Sequence, residues 1–347
     1  MCIIALMRKF LVLLILFLGV VFVIFSFSEL EQTIETLQKG NLWFILLALL
    51  IQIGWFFLVG ITYRSLYNLL GMQESIFNLA RMSAAATFVN YVMPTAGVGG
   101  IAVFVNSAKK AGKGGKHSTG KITLAAALFV LVDQVAFLAV LALGIIVLIR
   151  RNDLGVGELT ASIILLFIAS LLAFTLYLGY RSADAMGAFL ARLVRLVNAI
   201  LRPFIRRDYL REERAREFAH EMADGLAALP NRPRGLLKPL FLGLLNKGLM
   251  ICILLCAFLA FQVSYSPGTI IGGYAIGYLF MIVSPTPAGI GVVEGVLPLA
   301  LKTLRVAWSQ AVVVTIVYRA MTFWVPLGVG ALAFRNLHLN RTKEELA

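Results

Sequence analysis

Pro285-Thr286-Pro287-Ala288-Gly289-Ile290-Gly291 decides the fold. It interrupts an apolar stretch, Thr269 to Lys302, near its middle. A second apolar stretch, Ile76 to Ala108, is interrupted in the same way by Pro94-Thr95-Ala96-Gly97-Val98-Gly99-Gly100. Proline removes a backbone donor and glycine makes a turn sterically possible. Both breaks open on Pro-Thr and continue into Gly-Val-Gly or Gly-Ile-Gly, and from Pro94 to Pro285 is 191 positions. The chain therefore reads as a degenerate internal duplication. Each arm around a break is about 13 to 18 residues, short of the roughly 20 that a full bilayer crossing needs.

Composition says what surrounds these breaks. Of 347 residues 60% are hydrophobic and only 14% charged, and the mean hydropathy is +0.91. An ordinary soluble domain is roughly 45–50% apolar and about 25% charged. The excess lies in long runs, which excludes a soluble enzyme, a disordered chain and a disulfide-stapled module. The net charge of +14 belongs to loops beside anionic headgroups rather than to nucleic acid binding. Cys2, Cys252 and Cys256 offer neither a disulfide framework nor zinc spacing with histidine. Cys252 and Cys256, four apart in an apolar run, are expected on one helix face as packing residues.

Six full spans are expected, at about 10–27, 42–62, 122–149, 159–178, 240–261 and 307–334. The first follows Arg8 and Lys9, and no small-residue cleavage site ends it, so it reads as a retained span. Arg8, Lys9, Arg64, the cluster Lys109, Lys110, Lys113, Lys116 and Lys121, the arginine-rich stretch 181–238 and the tail 336–347 belong on the cytosolic side. Arg150, Arg151, Lys302 and Arg305 fall outside and are outnumbered. Both termini are then cytosolic, as in a multi-pass protein of the cell (plasma) membrane. The first interrupted stretch has cytosolic flanks and the second exterior ones. The expected fold is all-α and polytopic, with six full transmembrane helices plus two re-entrant helical hairpins as an inverted repeat: a first half of about 1–180, a linker 181–238 and a second half 239–335.

Within the linker, apolar residues recur from Met186 to Phe204 at helical spacing, with Arg192, Arg195 and Arg202 opposite. Residues 186–204 thus predict an amphipathic helix lying on the anionic inner leaflet. Residues 206–229, rich in paired charges, read as a surface helix ending before Pro230. Two soluble-protein motifs are coincidences. Gly97-x-Gly99-x-x-Ala102 has no preceding strand, and Gly115-x4-Gly120-Lys121 lacks the Ser or Thr that holds Mg²⁺.

Four ionisable residues fall inside apolar segments: Asp133, Lys247, Glu294 and Arg319. Each costs roughly 2.5–3.5 kcal/mol at a helix centre, so each needs a partner or a polar cavity. Lys247 reads as lying only a turn or two from a cytosolic helix end. Asn90, Thr95, Gln134, Asn246, Thr286, Tyr318 and Thr322 are expected to line the same cavity. Arg319, with its planar fork, suits a lipid phosphate. His117, His220 and His338 are scattered, and no catalytic set, metal cluster or cofactor site can be drawn.

The stretch Ser284 to Gly295 resembles the Pro-Gly-Gly-x-Gly-x-x-Glu signature of the lysylphosphatidylglycerol synthase transmembrane-region family, flippase-like integral membrane proteins. Asn90-Tyr91-Val92-Met93-Pro94 with Gly97, and Tyr318-Arg319 followed by Trp324-x-Pro326, fit the same family over about residues 8 to 335. Ala288 replaces the first glycine of the signature, and Ile101 to Val105 are apolar where many members carry a charge. No aminoacyl-transferase domain follows the membrane region, so the expectation is transport rather than synthesis.

The resemblance implies a non-enzymatic translocase that moves a polar-headed or glycosylated lipid between leaflets. Short segments broken by Gly and Pro at matching positions of two halves mark a transporter's central site. The candidate path comprises Asn90, Pro94, Thr95, Gly97, Gly99, Asp133, Gln134, Asn246, Lys247, Pro285, Thr286, Pro287, Gly289, Gly291, Glu294, Tyr318, Arg319 and Thr322. The rival readings are an accessory scaffold that docks a lipid-synthesis enzyme through 181–238 and an integral-membrane transferase.

Overall fold

The computed structural model describes residues 39–92, 98–110, 116–151, 156–201, isolated positions between 213 and 223, 233–284 and 286–344. Its regular structure is helical throughout the described residues. In chain order the helices are α1 (Leu42–Leu69), α2 (Ile76–Val92), α3 (Val98–Lys110), α4 (Lys116–Arg151), α5 (Val156–Arg181), α6 (Ala183–Leu201), α7 (Leu237–Ala260), α8 (Pro267–Val283), α9 (Val292–Thr303), α10 (Trp308–Arg319) and α11 (Val325–Glu344). A π-helical turn, Ala320–Trp324, joins α10 to α11. Among the described residues four helical stretches are long and apolar enough to cross a membrane: Leu42–Leu69, Gly120–Arg150, Leu237–Ala260 and Trp308–Leu337.

The duplication read from the two breaks governs this order. Shifting α2 by 191 positions lands on Pro267–Val283, which is α8, and the same shift places α1 over α7 and α4 over the α10–α11 rod. The equivalent helices α1 and α7 pack against each other in opposite directions. The Asn41 amide, just before α1, donates to the carbonyl of Ala260 at the end of α7 at 2.7 Å, and Gly235, before α7, approaches Leu69 at the end of α1. At the middle of the pair, Trp55 Nε1 donates to Asn246 Oδ1 at 2.7 Å across 191 positions, so the bond joins two equivalent residues. The outer contacts follow the same rule: α2 packs on α11 and α8 packs on α4.

Local signals explain the helix starts. Asn41 caps α1 by accepting from the Trp43 amide. Ser266 caps α8 by accepting from the Thr269 amide, with Pro267 in the first turn where no helical N–H is lost. Small residues permit the close crossings, as is usual where lipid provides no hydrophobic drive between helices. A side-chain carbon on Gly144 of α4 would meet the Ala275 methyl at 2.5 Å, and one on Gly330 of α11 would meet the Ala84 carbonyl at 2.5 Å. Ala84 and Ala275 are themselves 191 apart.

Several sequence expectations change. The predicted span 10–27 lies outside the described residues. The segment expected at 159–178 is helical within α5. The last helix does not stop at Phe334: it continues to Glu344, so most of the segment read as a tail is helix, because Arg335, Asn336 and the residues that follow are compatible with continuing it. Lys247 is not near a helix end. It sits ten residues into α7, about 15 Å along the axis. Cys252 is exposed while Cys256 is buried, since one turn of drift around α7 separates the lipid side from the core. The amphipathic helix is present as α6, with Met186 and Ala191 buried and Arg192 and Arg195 exposed; residues 202–204 lie outside the described residues, as does most of 206–229.

These crossings make a prediction. Gly144→Val and Gly330→Val should each lower the thermal midpoint of the purified protein by the equivalent of about 1–3 kcal/mol of overpacking. Gly54→Val, at a position where a side-chain carbon meets nothing within 4 Å among the described residues, should leave it unchanged in the same melt.

Candidate functional site

A cavity of about 630 Å³ opens between the two halves, walled by α1 to α8, α9 and α10. Its wall is largely apolar, with a polar band contributed by Gln52 and Trp55 of α1, Ser83, Asn90 and Tyr91 of α2, Asp133 of α4, Asn246 and Lys247 of α7, Tyr278 of α8, and Tyr318, Arg319 and Thr322 at the end of α10 and the π turn. Met186, Leu190 and Leu193 of the amphipathic helix close one side.

The four ionisable residues pair. Lys247 Nζ lies 2.6 Å from Asp133 Oδ1, with 1% of the lysine and 20% of the aspartate side chain exposed. The Tyr278 hydroxyl donates to Asp133 Oδ2 at 2.8 Å and accepts from Lys247 Nζ at 2.7 Å. The three groups close a ring that ties α4, α7 and α8 together. Lys247 owes its place to α7 being packed at mid-length against α4, where Gly243 sits against Val132 and Ala136. A lone cation there would cost several kcal/mol, and the neighbouring carboxylate together with two hydrogen bonds offsets that cost.

The second pair belongs to the second break. Arg319 Nε donates to Glu294 Oε1 at 2.7 Å, and its Nη2 donates to the carbonyl of Ala288 at 3.2 Å. Glu294 Oε2 accepts from the Gly291 amide at 2.8 Å, which satisfies an otherwise unpaired N–H at the start of α9. The turn is left-handed at Ala288 (φ 52°), Gly289 (φ 70°) and Gly291 (φ 81°). For the two glycines this conformation is free; for Ala288 it is strained. The bond from Arg319 to the Ala288 carbonyl holds this strained backbone in place. The Thr286 hydroxyl donates to the Ile290 carbonyl at 2.8 Å, closing the loop.

In the first break Gly100 stands where the second has Gly291, and its amide too is satisfied by a side chain. The acceptor is Asn90 Oδ1 at 2.9 Å, so a different residue performs the same task. Pro94, Thr95, Gly97 and Pro285 lie outside the described residues. Of the other candidates, Asn90, Asp133, Asn246, Lys247, Tyr318, Arg319 and Thr322 line the cavity. Gln134 and Thr286, expected on it, are not part of its wall, and neither are Gly99, Pro287, Gly289, Gly291 or Glu294. The last of these reaches the cavity through Arg319. Gln134 misses because it follows Asp133 around the helix by 100°; Thr286 misses because the loop consumes its hydroxyl. Arg319, expected as a free phosphate ligand, is engaged by Glu294.

Sequence reasoning missed Tyr278, Trp55, Gln52 and Ser83. Only Tyr278 left a signal: it stands in a hairpin arm, one turn after Tyr274, in a run otherwise of aliphatic and glycine residues.

The profile of the family described as Lysylphosphatidylglycerol synthase TM region matches residues 9–330. The UPF0104 membrane protein PH1989 of Pyrococcus horikoshii is 23% identical over 329 residues, which are 94% of this chain and 96% of that protein.

Two predictions test the site. Asp133→Leu or Lys247→Met alone should destabilise the protein by about 3–5 kcal/mol, and the Asp133→Leu/Lys247→Met double variant should recover most of that loss, because the cost lies in the unpaired charge; a double-mutant cycle of denaturation midpoints reads this. Ala288→Gly should raise the thermal midpoint by the equivalent of about 1 kcal/mol, the strain released at a left-handed alanine.

Proposed function

The chain belongs to the lysylphosphatidylglycerol synthase TM region family, and from that premise we propose that this multi-pass membrane protein is a lipid translocase of the flippase-like kind. In this reading the described helices, together with the segment at 10–27, form six spans. The arms α2–α3 and α8–α9 are re-entrant hairpins that enter from opposite faces, and both termini are cytosolic in the plasma membrane. The headgroup of a lipid passes through the central cavity while its acyl chains remain in the bilayer. The protein acts by transport rather than by chemical conversion.

The observation that carries the reading is the cavity of about 630 Å³ with two ion pairs on or beside its wall, each at the level of broken or mid-span helix. A polar headgroup cannot enter hydrocarbon without losing its hydrogen bonds, and irregular backbone at membrane depth persists only beside protein or a watery space. The antiparallel packing of α1 and α7 supports it further. Two halves that run in opposite directions around one cavity can present the same opening to either leaflet by a small rocking motion. The basic face of α6, with Arg192 and Arg195 exposed, supports contact with an anionic leaflet beside the cavity wall.

The test is reconstitution into phosphatidylcholine vesicles that contain tail-labelled lipids of several headgroups, with dithionite used to bleach the outer leaflet. Wild-type vesicles should lose fluorescence beyond the outer-leaflet fraction. Glu294→Gln and Arg319→Ala should slow that second phase about tenfold or more, the effect of about 1.4 kcal/mol on a barrier. Bleaching that stops at the outer-leaflet fraction for every headgroup would leave the scaffold reading in its place.

A further inference from the structure

We propose that the cavity holds a subsite for an uncharged, hydroxyl-rich headgroup, a glycosyl or polyol unit, seated on Gln52 and Ser83 beside the ring of Trp55. This rests on the translocase reading and names the class of lipid that reading would carry.

The charged groups on and beside the cavity wall are already committed to one another. Lys247 is held by Asp133 and Tyr278, and Arg319 by Glu294 and the Ala288 carbonyl. An anionic headgroup would therefore meet cations whose charge a carboxylate already balances. The neutral groups are differently placed. Gln52 is 1% exposed and Ser83 5% exposed, both line the cavity, and among the described residues neither Gln52 Oε1 nor Ser83 Oγ has a hydrogen-bond partner. A buried polar atom left unpaired costs about 1–3 kcal/mol. Two such atoms on one cavity wall mark a place where a ligand supplies what the fold does not.

The complementary donors are nearby. Asn90 and Asn246 have their Oδ1 atoms committed to the Gly100 amide and to Trp55, so what each offers the cavity is its Nδ2 amide. Acceptors at Gln52 and Ser83 with donors at Asn90 and Asn246 make a neutral set, and hydroxyl groups, which donate and accept at one oxygen, satisfy both kinds. Trp55, on the same wall with its Nε1 bound to Asn246, presents a flat apolar surface to the carbon face of such a headgroup. The residues 191 positions on from Gln52 and Ser83 are Gly243 and Tyr274, so neither side chain is repeated in the second half.

The experiment uses the full chain in phosphatidylcholine nanodiscs, doped with monoglucosyl diacylglycerol, phosphatidic acid or an aminoacyl-phosphatidylglycerol, and reads the thermal midpoint. Monoglucosyl diacylglycerol should raise the midpoint in a concentration-dependent way, and the two charged lipids should not. Gln52→Leu and Ser83→Ala should melt no lower than wild type without the glycolipid, since each removes an unpaired atom, yet each should weaken its apparent affinity about tenfold. A rise with phosphatidic acid or the aminoacyl lipid equal to that with the glycolipid would overturn the proposal. So would an undiminished glycolipid effect in both variants, or no effect of any lipid. The vesicle assay separates the two readings. Glycolipid binding without transfer between leaflets sinks the translocase and leaves the subsite, whereas glycolipid transfer at wild-type rate by both variants sinks the subsite and leaves the translocase.

Discussion

A charge at mid-span has no water to turn to, and the rest of the architecture is arranged around that constraint. Lys247 is 1% exposed and nearly three turns from the start of α7. It can stand there only because α4 brings Asp133 to 2.6 Å and α8 brings the Tyr278 hydroxyl to 2.7 Å. Those three helices come from both halves of the chain, so the pair fixes how the halves meet. Packing alone would tolerate sliding between apolar helices in lipid, where no hydrophobic drive distinguishes one apolar neighbour from another. A buried ion pair does not tolerate it, because a displacement of one turn separates the charges by about 5.4 Å and leaves each unpaired.

The two halves share a frame and have diverged in chemistry. Positions 191 apart match in backbone role: α2 with α8, Trp55 with Asn246, Ala84 with Ala275, Gly100 with Gly291. They do not match in charge. Lys247, Glu294 and Arg319 stand where the first half has Phe56, Val103 and Leu128. The first half sets one carboxylate, Asp133, among neutral polar groups on its side of the cavity, Gln52, Ser83 and Asn90. The result is a cavity whose two sides differ in charge, built on a frame that is close to symmetric.

Much of this frame was legible in the sequence because it follows from steric and solvation rules that act locally. Proline and glycine interrupt helices wherever they occur, so both breaks and their 191-residue spacing could be read directly. The balance of two acids and two bases within apolar runs implied compensation, and the structure pairs Asp133 with Lys247 and Glu294 with Arg319. Which acid takes which base was not legible, since that depends on helix rotation and not on spacing. Trp55, Gln52 and Ser83 escaped notice for the same reason: a polar or amphipathic residue in an apolar run is silent until its neighbours across the interface are known. The depth of Lys247 was misjudged because α7 begins at Leu237, upstream of Pro239, and proline in a first turn does not delay a helix.

The two ion pairs are unequal, and the inequality gives the site a direction. In the inner pair the lysine is sealed and Asp133 is 20% exposed; in the outer pair Glu294 is 39% exposed. Attraction between charges falls as the surrounding dielectric rises, so the Arg319–Glu294 contact is the weaker of the two and yields first to a polar competitor. It is also the one set in adjustable backbone. Arg319 ends α10 where the π turn begins, and its Nη2 anchors the carbonyl of strained Ala288. Pro326 has no N–H to return to Thr322, whose carbonyl instead faces the Tyr91 hydroxyl of the first hairpin at 3.5 Å. A displacement of Arg319 from Glu294 would therefore act at once on the turn of the second break and, through the π segment, on α2 of the first half, while the Asp133–Lys247–Tyr278 ring holds the halves in register.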